Sequence, residues 1–301
     1  MPMLPSDSLR EALVQRAWAQ WIALGVAGVG TAEREVVDPE ALVALTAELG
    51  DTDARLRDTS IDWCIAYGRY VNSTRLRHVL DEIGASAEAI GEYAGTVAAA
   101  GGPRWPMASN PRPEFRSRGK ARLQHLDTTP RLILRFRAAF GVTARADVLA
   151  ALVLRRGIAL TISDLARVTR FTKRNVALTV DSLALAGLVD LETVGNEQRA
   201  WLRREILQPW LPPQGAEPVN WIDRFAVGLA TLRFLTAQQS AKPNVRTIEA
   251  RALVRELDTK IRRSQLPPPD TRRLGESFSE EFSDWLVRMT KAIGTGALAT
   301  H

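Results

Sequence analysis

The chain has 301 residues, 46% of them apolar and 25% charged, which is typical of a globular protein of two or three domains. Its single cysteine, Cys64, and three histidines exclude an intramolecular disulfide and a cysteine-rich metal site, and they disfavour histidine-dependent hydrolases. No apolar run approaches the roughly 20 residues of a membrane-spanning helix. Acidic residues also interrupt the N-terminus, unlike a signal peptide. We therefore expect a cytoplasmic protein with no membrane partner.

The net charge of +6 is distributed unevenly along the chain. Residues 1–100 carry 15 acidic and 8 basic side chains, whereas residues 101–145 carry 10 basic and 2 acidic side chains. A basic segment behind an acidic region favours a polyanionic partner, and nucleic acid is the first candidate. The alternative is a solvated, arginine-rich surface without such a partner.

The first 97 residues are predicted to form an N-terminal helical domain, because apolar residues recur there at spacings of three and four. Helices are predicted over residues 8–24, 38–50, 59–67 and 72–83. The last two flank Gly68 as a helix, a turn and a helix, with Arg75 and Arg77 on the second helix. A degenerate DNA-reading unit is therefore an open alternative in this region, although its surroundings are acidic.

Residues 98–130 interrupt the helical pattern. The part from residue 98 to residue 122 contains four prolines and three glycines, a composition that cannot form a long helix or a central strand. We interpret this segment as a basic linker or an extended arm. An arm would supply nonspecific, salt-dependent contacts to phosphate groups, whereas a linker would be disordered.

The next predicted domain, residues 131–208, combines helices with two β-like runs. Helices are expected over 143–156, from Thr161 and from Thr172, and the last of these has an inner stripe and ends at Gly187. The β-like runs, residues 188–194 and 198–202, are separated by Gly195 and Asn196, a small-residue turn that indicates a hairpin.

A second proline-rich break near residue 209 begins a predicted C-terminal helical domain, residues 209–301. Three amphipathic helices are expected in it. Their inner stripes are Trp221, Phe225, Leu229 and Leu232, then Ile248, Val254, Leu257 and Ile261, and finally Phe278, Phe282, Trp285 and Leu286. The predicted fold is therefore mainly α, with a small β-hairpin in the central domain.

The stretch TISDLARVTRFTKRNVALTVDSLALAGLVDLETVGNEQRAWL, residues 161–202, resembles the DNA-binding region of winged helix-turn-helix transcriptional regulators of the MarR and ArsR type. The similarity lies in the spacing of residues 143–203 and not in any single residue. The whole chain is also similar to uncharacterised bacterial proteins in which a winged helix lies between two helical regions. The resemblance implies a central winged helix-turn-helix domain whose hairpin is the wing.

The recognition helix of such a domain enters the major groove with its N-terminal residues against the base edges. Arg174 is then suited to guanine, Asn175 to adenine or phosphate, and Leu178 to a thymine methyl group, while Thr172 and Lys173 suit phosphate oxygens. The candidate DNA-binding residues are Arg170, Thr172, Lys173, Arg174, Asn175, Leu178, Asn196, Gln198 and Arg199. Each has an alternative structural role; Arg199, for example, is also suited to protecting a strand edge.

The sequence contains no arrangement of residues that predicts catalysis, a metal site or a cofactor. We therefore expect a bacterial-type regulator that binds duplex DNA and forms a homodimer, since one short helix reads few base pairs. Its effector or partner protein is unspecified. The alternative is a protein–protein interaction module, such as an autoregulating antitoxin or a defence-system component.

Overall fold

The computed structural model describes residues 5–155, 157–203, 205, 208–210 and 218–296. Within these residues the fold is mainly helical with one small antiparallel sheet, which confirms the expected fold class at this level. The elements up to the sheet are α1 (Pro5–Ala23), α2 (Pro39–Leu49), α3 (Ala54–Tyr67), α4 (Ser73–Ile83), α5 (Ala87–Ala99), α6 (Leu132–Phe140) and α7 (Ala144–Leu154).

The sheet and the helices around it follow α7. These elements are β1 (Leu160–Thr161), α8 (Ile162–Thr169), α9 (Lys173–Leu185), β2 (Val189–Val194) and β3 (Glu197–Leu202). The last three helices are α10 (Trp221–Ala237), α11 (Pro243–Arg263) and α12 (Gly275–Thr295). Short 3-10 turns cover Gly68–Tyr70, Thr129–Arg131 and Gln208–Trp210.

Helices from both ends of the chain share the larger apolar core. α1 packs against α12, and α10 packs against α1, α4 and α11. Leu13 of α1, Leu229 of α10 and Ile293 of α12 are all buried in this one cluster. These helices were expected in separate N-terminal and C-terminal domains, whereas this core contains residues of both.

Four tryptophans fill this core, and each also satisfies its indole N–H. Trp21 donates to the Thr46 hydroxyl at 2.8 Å, and the other three donate to backbone carbonyls. All four are at most 1% exposed, and they are Trp21, Trp63, Trp221 and Trp285. Because a buried indole without a partner would cost free energy, these bonds explain why such large side chains fit the interior.

A second apolar cluster lies among α6, α7, α8, α9 and the sheet. α7 is at its centre, packed against α6, α8, α9 and β3. Phe136, Leu149, Leu165 and Val176 are completely buried in it. This cluster holds the first turn of α9 in a fixed position relative to the hairpin.

The sheet has the strand order β1-β3-β2, and both pairings are antiparallel. Val194 pairs with Glu197, so the hairpin turn consists of Gly195 and Asn196, as the sequence predicts. Gly195 has a φ of 61°, a conformation that costs glycine little. The two-residue β1 was not expected, because it is too short for a period-two pattern.

The sequence-based description of the helices differs from the structure in two places. α5 was missed because Gly91 and Gly95 interrupt its apolar pattern, yet both glycines let the segment around Ser109 pack directly on the helix. Ile248, placed in an inner stripe, is 67% exposed. The buried face of α11 consists instead of Ala250, Val254, Leu257 and Ile261.

Candidate nucleic-acid interface

Two hydroxyl caps define the helices of the candidate interface. The Thr161 hydroxyl accepts a hydrogen bond from the Asp164 N–H at 3.0 Å and begins α8. The Thr172 hydroxyl accepts one from the Asn175 N–H at 3.3 Å and begins α9. Such caps satisfy backbone donors that a helix leaves unpaired at its N-terminus. Thr172 is therefore committed to the cap, although it remains exposed.

α9 has a clear inner and outer face. Val176, Val180 and Leu183 form the predicted inner stripe and are at most 1% exposed. Lys173 and Arg174, in the first turn, are exposed and form no ion pair within the described part of the chain. The structure thus presents two uncompensated cations at the end of the helix where the backbone dipole disfavours them.

Asn175 and Leu178 continue the outer face of α9. Asn175 is exposed, and its carboxamide oxygen accepts a hydrogen bond from the Thr179 hydroxyl at 3.3 Å. Leu178, one turn on from Arg174, is 62% exposed. The structure therefore brings Lys173, Arg174, Asn175 and Leu178 together on one accessible surface.

Arg170 was expected among the DNA-binding residues, but it does not join this surface. Its side chain is 7% exposed, and Nη2 lies 3.0 Å from Glu82 and 3.9 Å from Asp223. The residue has a φ of 61° in the tight turn between α8 and α9, which directs the guanidinium inward. Its acidic partners come from α4 and α10, so a local sequence pattern cannot reveal them.

The hairpin carries polar groups at its tip but little net positive charge. Asn196 and Gln198 are exposed, as a contact to phosphate or to a minor groove requires. Arg199 lies 3.5 Å from Glu197 and pairs across the strands with Glu192. The two carboxylates offset the charge of this arginine, so its attraction for phosphate is weaker than the sequence suggests.

A groove of about 430 Å³ runs beside the outer face of α9, between the N-termini of α4 and α7. Asn175 and Leu178 line one wall, and Thr74 and Arg145 line the others. Arg145 is exposed and has no ion-pair partner among the described residues. Arg145 belongs to the basic segment and was not expected in the site, because only the fold brings it next to α9.

The basic segment before α6 packs along the helical core instead of projecting as an arm. Arg112 forms ion pairs with Asp51 and Glu92, the first at 2.8 Å. Asp62 accepts hydrogen bonds from the Ser117 hydroxyl at 2.6 Å and from the Arg118 N–H at 2.9 Å. Part of the positive charge of this segment is therefore used internally.

A buried charge cluster connects α8 to the larger core. Arg75 donates from Nε to the Thr169 carbonyl at 3.0 Å, and its other nitrogens contact Asp38 and Glu40. Arg137 contacts the second oxygen of Glu40 at 2.6 Å. The turn before α9 is thus anchored through charge-assisted hydrogen bonds to the loop before α2 and to α2 itself.

In this cluster, the attraction between opposite charges outweighs the cost of burying the charged groups. Burial by itself would raise the pKa of Asp38, but the Arg75 guanidinium holds it below its ordinary value. Burial would likewise lower the pKa of Arg75, yet Asp38 and Glu40 hold it well above the usual value. Both side chains therefore stay charged inside the protein at neutral pH.

Metal binding and thiol chemistry can be assessed directly in the described residues. They contain no group of three histidine, cysteine or acidic side chains that could hold a metal ion. Burial raises the pKa of the Cys64 thiol to about 12, against the opposing effect of its contact with the Tyr93 hydroxyl. A thiol in that state is a poor nucleophile and a poor metal ligand.

Comparison with known proteins identifies no relative. No protein-family model matches the chain, and neither a curated protein nor a solved structure does. Among the described helices, none combines the length and the apolar character that crossing a membrane requires.

Proposed function

We propose that the protein is a sequence-specific regulator that binds duplex DNA by inserting α9 into the major groove. The order α7-β1-α8-α9-β2-β3 and the strand order β1-β3-β2 support this proposal, because a winged helix-turn-helix domain has a helix, a short strand, two helices and a hairpin in that sequence. In this arrangement the hairpin is the wing, and Asn196 and Gln198 contact the sugar–phosphate backbone.

The observation that carries the proposal is the first turn of α9. Lys173 and Arg174 are exposed, close to the positive end of the helix dipole, and unpaired within the described residues. Their position costs the free protein stability and becomes favourable only when an anion approaches. Phosphate groups flanking a major groove supply such anions, while Arg174 and Asn175 read base edges.

The protein binds DNA as a homodimer in this proposal. One helix contacts too few base pairs for high specificity, and two copies that read half-sites about one helical turn apart remove that limit. Arg145, at the N-terminus of α7, adds a phosphate contact beside α9.

The proposal is tested by fluorescence anisotropy with the duplex upstream of the protein's own gene and with a scrambled duplex, over a series of salt concentrations. We expect the protein to prefer the upstream duplex, and we expect an Arg174→Ala/Asn175→Ala variant to lose the preference. An Arg233→Ala variant, changed on α10, is the matched control. Equal and weak binding to both duplexes, unchanged in the double variant, contradicts the proposal.

A second function is favoured by the apolar part of the same face. Leu178 and Leu185 are 62% and 93% exposed, and a partner protein packed on α9 would bury both. The alternative is therefore an interaction module, such as an autoregulating antitoxin. It predicts stoichiometric co-purification with the product of a neighbouring gene, reduced by Leu185→Ala, and no retention on DNA.

A further inference from the structure

A cavity of about 190 Å³ lies beneath the turn that precedes α9. Its walls come from α7, the end of α8, the loop before α2, the start of α10 and the end of α11. The cavity is distinct from the outer face of α9, because no residue of α9 lines it. The cavity therefore lies between the smaller and the larger core, away from the surface of α9 that is proposed to contact DNA.

Arginines predominate among the charged residues that line this cavity. Five arginines and two aspartates line it, and three of the arginines have carboxylate partners: Arg75 pairs with Asp38 and Glu40, Arg167 with Asp164, and Arg170 with Glu82 and Asp223. The two aspartates are already paired, Asp38 with Arg75 and Asp147 with Arg137. Arg155 and Arg263 have no ion-pair partner among the described residues. An anion inside the cavity would therefore meet two cations that no carboxylate of the described residues neutralises.

Two of the residues that line the cavity also carry buried polar atoms without a hydrogen-bond partner. Arg170 Nε and Nη2 are buried without a hydrogen-bond partner, although Nη2 lies within ion-pair distance of Glu82 and Asp223. Gln265 Oε1 is buried and equally unpaired. Rotation of the Gln265 amide offers a donor in place of this acceptor. Buried polar atoms without partners are uncommon and point to a missing ligand or water.

The backbone is unusual at the same two residues. Arg170 and Gln265 have φ values of 61° and 57°, and they are two of the three non-glycine residues with positive φ in the described part of the chain. Such conformations concentrate at ligand sites, where the surrounding structure holds them. Both residues line one cavity, an observation that is independent of the charges.

We propose that this cavity binds a small carboxylate with an apolar body of about six carbon atoms, since a dry cavity of roughly 150 Å³ accepts benzene. Leu154, Val168 and Ile133 supply apolar walls for the body, while Arg155 and Arg170 bind the carboxylate. A purely polar anion would leave these apolar walls without a contact.

Residues 167–170 line the cavity and lead directly into α9, so an occupant contacts the turn that positions the candidate recognition helix. A regulatory role for the ligand rests on the proposed function, whereas the binding site itself does not. Ligand binding is therefore measured in the absence of DNA. A failure to bind the ligand then leaves the DNA-binding proposal intact, and a failure to bind DNA leaves the ligand site intact.

The test is isothermal titration calorimetry of the full chain with hexanoate, hexan-1-ol and hexylamine. These probes share the six-carbon body and differ in charge. We expect saturable binding of one hexanoate per chain, binding of the alcohol that is weaker by about tenfold or more, and no binding of the amine. No saturable binding, or equal affinity for the acid and the alcohol, overturns the proposal.

Three variants locate the site. Arg155→Gln, at a half-buried residue without an ion pair, should weaken hexanoate binding about tenfold, because it removes a charge-assisted hydrogen bond. Ala151→Leu should abolish binding by filling the cavity, with circular dichroism to verify folding. Arg262→Gln is the matched control, since this arginine lies outside the cavity and pairs with Asp258. Unchanged affinity in Arg155→Gln overturns the assignment.

Discussion

Arg137 is completely buried, and its guanidinium contacts the carboxylates of Glu40 and Asp147. Arg137→Leu would leave two buried carboxylates with too few partners, at a cost of about 3–5 kcal/mol in the free energy of unfolding. Urea denaturation measures this loss. The matched change Arg233→Ala, which breaks a partly exposed pair with Glu48, should cost under about 1 kcal/mol. Similar losses in the two variants would contradict this view of the buried cluster.

Asp38 gives the stability of the protein a specific dependence on pH. Its pKa lies below the ordinary value of 3.8 in the folded protein, so the unfolded chain binds the proton more readily. The stabilisation is complete well above pH 3.8 and is lost as the pH falls through the lower, folded pKa. Urea midpoints measured between neutral pH and pH 2 should fall more steeply for the parent protein than for Asp38→Asn.

Lys173 and Arg174 are neighbours in sequence, but we expect Lys173 to contact phosphate and Arg174 to read a base. Lys173→Ala should weaken binding to all duplexes alike and lower the slope of log affinity against log salt by about one. Arg174→Ala should cost about 1–3 kcal/mol and relax the preference at one base pair. Anisotropy titrations of a set of singly substituted duplexes separate these results. Losses that are equal on every duplex for both variants would show that neither residue reads a base.

The close packing of α5 against the segment that follows it requires glycine in the helix. A Cβ at Gly95 would lie 2.0 Å from the carbonyl oxygen of Ser109, so this backbone must move if the residue changes. We expect Gly95→Ala to destabilise the protein by about 1–3 kcal/mol through overpacking, as measured by thermal unfolding. Gly294→Ala is the control, because a Cβ there meets Ala12 at an ordinary 3.5 Å.

The sequence predicted the elements whose signals are local. The inner stripe of α9 and the turn at Gly195 and Asn196 depend on spacing and on turn chemistry within a few residues, and both were confirmed. α5 was missed because the reason for its glycines is Ser109, a residue outside the helix. Ile248 was misplaced because it lies two residues before Ala250, about 200° around the helix, and so points away from the buried face of α11.

The residues of the candidate site also fall into two groups, those with a local signal in the sequence and those without one. The exposure of Lys173, Arg174 and Asn175 follows from helical periodicity, so the sequence was sufficient to place them on one surface. The burial of Arg170 depends on Glu82 and Asp223, which belong to distant parts of the chain. Arg145 reaches the same groove only through the packing of α7 on α9. Contacts of this kind have no signal in a single sequence.

Across the whole molecule, many arginines form ion pairs that connect one part of the fold to another. Arg75 and Arg137 connect α2, α4, α6 and α7, and Arg112 fastens the segment before α6 to the helical core. The net charge of +6 therefore does not by itself describe a surface that attracts DNA. The uncompensated cations at α9 are the stronger argument, because their position is fixed by the fold.

The central claim, that α9 lies against DNA, is open to one direct measurement. Cys64 is the single cysteine and is buried, so a cysteine introduced on the surface can be labelled selectively with an iron chelate that cleaves nearby DNA. Ser182→Cys places the chelate on the outer face of α9, and Ser283→Cys places it on α12 as the matched control. The account predicts cleavage of the upstream duplex at discrete positions from Ser182→Cys and only background cleavage from Ser283→Cys. Equal cleavage by both, or none from Ser182→Cys while the duplex stays bound, would contradict it.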